Sequence, residues 1–61
     1  MMKIIVKDNN RPSIRLSEYE TQLVPMMGDL IDIPKEGTMI VCKRVFDVTL
    51  PDEITIFGVK S

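Results

Sequence analysis

Four stretches of turn-forming residues punctuate this 61-residue chain: Asp8-Asn9-Asn10-Arg11-Pro12, Pro25 with Gly28, Pro34-Lys35-Glu36-Gly37 and Leu50-Pro51-Asp52-Glu53. Proline fixes φ, and Asn and Gly tolerate left-handed backbone, so each marks a reversal with a mechanism behind it. The runs between them are short and rich in Ile, Val, Thr and Phe, the composition of strands. Lys3–Lys7 reads as a first strand, and Ser13-Ile14-Arg15-Leu16-Ser17 alternates polar and apolar as a second, with Ile14 and Leu16 facing inward. Leu23–Pro34 reads as an entry loop followed by a third strand, and Thr38–Val48 and Ile54–Val59 supply two more. Turn signals recurring about every ten residues predict an all-β fold, a five-stranded antiparallel meander curled into an SH3-like barrel over residues 1–61. The alternative is an open, twisted sheet that completes its core by dimerisation.

Two places disturb the strand pattern. Leu16 lies on even parity while Tyr19 and Leu23 lie on odd, and Ser17-Glu18-Tyr19-Glu20 has the capping-box form S-x-x-E. A bulge, a single helical turn or a bent strand would each shift the parity. In the fourth strand both faces are apolar before Lys43-Arg44, as in a strand buried on two sides early and bent or exposed later. Gly58 marks a bulge or a close backbone approach in the last strand.

A chain this short buries only about 60% of the surface its unfolded form exposes, and such a core supplies roughly 3–5 kcal/mol without a disulfide, metal or partner. Cys42 is the only cysteine and there is no histidine, so neither a disulfide within the chain nor a four-ligand zinc site is expected. Self-association into a homo-oligomer is the remaining supplement. The net charge of −1 is unevenly distributed. Residues 1–16 carry Lys3, Lys7, Arg11 and Arg15 against Asp8, a net +3, whereas 17–36 carry Glu18, Glu20, Asp29, Asp32 and Glu36 against Lys35, a net −4. Opposed segments of this kind suit contacts with a protein or a second copy better than general polyanion binding. The longest apolar runs are a few residues, so neither a signal peptide nor a membrane span is expected, and the free thiol fits a cytoplasmic setting.

The residues needed for most catalysis are missing. Without histidine, general acid–base and nucleophilic mechanisms lose their usual base, so no enzymatic activity and no cofactor is expected. Cys42 lies in an apolar strand and reads as a small inert hydrophobe. Asp29 and Asp32 read as a turn residue and a solvent-facing strand residue, and Gly28, Gly37 and Gly58 are too far apart for a phosphate loop.

What remains is a set of binding candidates. Lys43 and Arg44 beside Phe46 resemble in type the basic and aromatic platforms of single-strand nucleic-acid binders. Tyr19, Phe46 and Phe57 are the whole aromatic supply, however, and Phe46 and Phe57 are expected in the core. Met26 and Met27 offer a flexible apolar contact for a partner, or else one of the two fills the barrel end. The run Pro25-Met26-Met27-Gly28-Asp29-Leu30-Ile31 resembles the P-x-x-G-D-x-V segment of many small barrel proteins from bacteria and their phages, and implies a bacterial or phage accessory protein, with no residue role to carry over. The function expected from these features is a non-catalytic protein-interaction module that self-associates. Its alternative is a small-barrel nucleic-acid binder using Lys43, Arg44 and an aromatic.

Overall fold

The computed structural model describes residues 1–61 and holds five strands and no helix: β1 (Met2–Asp8), β2 (Arg11–Thr21), β3 (Leu30–Ile33), β4 (Gly37–Phe46) and β5 (Glu53–Lys60). They form one sheet in the order β2-β1-β5-β4-β3, curled into a half-barrel compatible with the SH3-like expectation. The ladders are antiparallel except β1–β5, which is parallel, with Ile4 opposite Ile54 and Val6 opposite Ile56. The sheet is therefore mixed rather than purely antiparallel. The cause is arithmetic: five strands that alternate in direction start and end running the same way, so bringing the first against the last makes a parallel pair.

The meander is interrupted once. β2 and β3 run in opposite directions but share no ladder and form the two outer edges of the sheet. The connection from Gln22 to Asp29 crosses between them, and its Val24 packs against the core.

The core lies on the concave face and follows strand parity. Ile4 and Val6 of β1, Ile54 and Ile56 of β5, Met39 and Val41 of β4 and Ile33 of β3 form one buried cluster. Burying a side chain of this size contributes about 1.5–3 kcal/mol. Met2, Leu16, Tyr19, Val24 and Ile31 close its margins.

The parity shift in β2 is a bulge. Val6 pairs with Ser17 and Lys7 with Arg15, so Leu16 is an extra residue, and beyond it both Leu16 and Tyr19 reach the core. The strand runs on to Thr21, and the capping-box residues form no helical turn, because Glu18, Tyr19 and Glu20 pair with Ile5, Ile4 and Lys3. A second irregularity skips Pro12–Ile14, since Asp8 pairs with Arg11. Ile14 is left 42% exposed, which corrects the expectation that it faces inward with Leu16.

The tight turn after β3 is closed by the Glu36 N–H donating to the Ile33 carbonyl at 3.0 Å. Pro34 thus takes its second place, and Lys35 is left with a φ of 72° and Gly37 with one of 89°. The charge segments distinguished in the sequence meet at Glu18. Glu18 accepts from Arg15 at 2.7 Å and lies 3.5 Å from Lys3, and Glu36 lies 3.9 Å from Lys60. No helix of the structure is long and apolar enough to cross a membrane.

Candidate functional site

The candidates Lys43, Arg44 and Phe46 lie on the second half of β4, beyond the reach of β3, which pairs only with Gly37–Ile40. A bulge at Cys42 sets their orientation: Val41 pairs with Gly58 and Lys43 with the next residue back, Phe57. Residues directly opposite in an antiparallel ladder present their side chains on the same face. Lys43 therefore stands on the convex face with Phe57, its Nζ 4.6 Å from the ring centroid. Arg44 pairs with Ile56 and Phe46 with Ile54, on the concave side, and the Arg44 guanidinium lies 5.5 Å from the Phe46 ring. The basic pair read as one patch is thus split across the sheet, each cation over its own aromatic. Phe46, the last residue of β4, is 61% exposed and does not join the core. Phe57 is only half-buried.

Met26 and Met27 are exposed in the turn before β3. The Met26 N–H donates to the Asp29 carboxylate at 2.7 Å, and the turn is tied to β4 by the Gly28 N–H donating to Val41 and the Val41 N–H donating to Asp29. The two methionines accordingly adjoin the same edge of β4 as the other candidates. Asp29 serves this turn, while Asp32 accepts a hydrogen bond from its cross-strand neighbour Thr38 at 2.8 Å.

Register across the sheet adds residues that the sequence reading did not single out. Arg15 pairs with Lys7, Lys7 with Phe57, and Phe57 with Lys43, which makes one row across β2, β1, β5 and β4 on the convex face. Three strand spacings span about 14 Å. Arg15 is bridged by Glu18, but neither Lys7 nor Lys43 has a carboxylate within salt-bridge distance. Alternation in Lys3–Lys7 hints that Lys7 faces away from the core, yet its neighbour Phe57 depends on the parallel β1–β5 register.

On the opposite side of the molecule, the gap between β2 and β3 is a groove of about 500 Å³ lined by Ser17, Glu18, Tyr19, Ile31, Asp32, Ile33 and Pro34. Partial burial raises the Tyr19 hydroxyl pKa above its ordinary range by desolvating the phenolate. The groove is bordered by two strand edges that no neighbouring strand covers. Elsewhere, Asp47 is held below the usual carboxylate range by hydrogen bonds from the Thr49 hydroxyl and N–H. Cys42 is half-buried and its thiol donates to the Phe57 carbonyl at 3.2 Å, a structural contact.

The fold and these surfaces define a small all-β protein with an open seam on one side and a row of cations and a phenylalanine on another. No protein-family model, curated protein or solved structure matches the chain.

Proposed function

We propose that this chain is a non-catalytic protein-interaction module that associates with copies of itself. The observation that supports it is the open seam: β2 and β3 leave unpaired backbone edges on either side of a largely apolar groove. Exposed edges of this kind are templates for another chain, and a partner that covers them extends a core too small to be secure alone. Met26, Met27, Leu30 and Phe46, all more than half exposed, add apolar surface close to β4 and β3. The likeness of residues 25–31 to small bacterial and phage barrels makes an accessory role in such a system the setting of this reading.

Mass action supplies the test. A fold stabilised by association melts at a temperature that rises with protein concentration. Thermal unfolding followed by circular dichroism over about a hundredfold range of concentration is expected to show that rise. A constant melting temperature would remove the support for self-association.

A further inference from the structure

We infer that the convex row formed by Arg15, Lys7, Phe57 and Lys43 is a binding site for single-stranded nucleic acid. The reading is separable from self-association, because Lys7, Phe57 and Lys43 lie on the convex face of β1, β5 and β4, and only Arg15, on β2, comes near the open seam. Its geometry comes from three ladders that agree. Lys7 and Lys43 pair with Phe57 from the two sides, which sets a lysine on each strand neighbouring one aromatic residue, and Arg15 extends the line of positive charge onto β2. Lys7 and Lys43 have no acidic partner, and Lys43 already lies 4.6 Å from the ring it would share with a ligand.

A phosphodiester strand meets these features with its own chemistry. Its phosphates take up the unpaired ammonium groups, and an unstacked base lies on the face of a half-buried ring. A strand also tolerates the absence of base-edge donors and acceptors in the row, since stacking and backbone charge carry no sequence preference. An acidic protein segment would use the lysines and leave the ring without a flat partner. Arg44 and Phe46, which the sequence places beside Lys43, lie on the other face of the sheet and take no part.

Fluorescence anisotropy with a fluorescein-labelled oligothymidylate tests this on the intact chain. Binding is expected to weaken log-linearly with salt, with a slope near −2 for roughly three neutralised phosphates. The Phe57→Leu variant and the Lys7→Ala/Lys43→Ala double variant are each expected to lose about tenfold in affinity. The double variant is also expected to flatten the salt slope, whereas Arg44→Ala, on the concave face, leaves binding unchanged. Circular dichroism and sedimentation of the same variants, expected to match the parent, separate loss of binding from loss of fold or of assembly. Absence of binding at low salt, equal weakening by the concave-face variant, or tighter binding of polyglutamate that ignores Phe57→Leu would each overturn the assignment.

Discussion

A β-carbon on Gly58 would stand 3.3 Å from the Met39 Cβ and 3.2 Å from the Ile40 carbonyl oxygen, so the glycine is where β5 and β4 approach more closely than a side chain fits without a shift of its neighbours. The contact arises because Gly58 faces the core opposite Val41, where Cys42 bulges out of β4. Gly58→Ala gains a little from reduced freedom of the unfolded chain and loses more by overpacking against atoms that cannot swing aside. The expected net destabilisation is about 1 kcal/mol, with Gly58→Val costing more, read as a fall in the urea midpoint at constant slope.

Leu16 and Ile14 are neighbours in the alternation pattern and line one surface cleft, but they differ in burial. Leu16 packs on the core as the bulged residue, whereas Ile14 lies in the stretch that skips pairing with β1. Leu16→Asp is expected to cost roughly 2–3 kcal/mol by setting a carboxylate against apolar side chains, and Ile14→Asp less than about 0.5 kcal/mol. Equal midpoints for the two variants in denaturant would place the bulge wrongly.

Much of this architecture was legible in the residues, because parity and turn chemistry are local. Pro34 and Gly37 announce the β3–β4 turn, and the clash of parity between Leu16 and Tyr19 announces an irregularity before its kind is known. Pairings between distant strands were not legible. Nothing local in Lys7 or Phe57 says that they are neighbours, since that follows from a parallel ladder between the two ends of the chain. The same limit explains why Lys43 and Arg44 looked like one patch: a single bulged residue, Cys42, decides which face each takes. It also explains the charge segments, whose opposition along the sequence becomes cross-strand pairing between Glu18 and Lys3 once the hairpin forms.

Tyr19 gives the account a pH signature. Its pKa is raised in the fold by desolvation, above an unfolded value of about 10. The sign follows from proton counts: above that pH the unfolded chain has released the phenolic proton while the folded chain still holds it. Stability from this group is therefore complete below about pH 10 and is lost as pH rises from there through the folded pKa. Tyr19 is the only tyrosine and there is no tryptophan, so an ultraviolet titration of the phenolate reports it alone. The expected midpoint lies above that of a denatured control, and Tyr19→Phe is expected to remove this share of the alkaline destabilisation in thermal melts.

The open seam between β2 and β3 carries the functional reading, and sedimentation equilibrium tests it most directly. Across about a hundredfold range of concentration, the weight-average mass is expected to climb from near 7.0 kDa toward that of a dimer or larger assembly. Because the groove is largely apolar, the climb should persist in salt of about 0.5 M, where exposed ion pairs are screened. A mass that stays at the monomer value at every concentration would contradict self-association and leave the half-barrel standing on its own core.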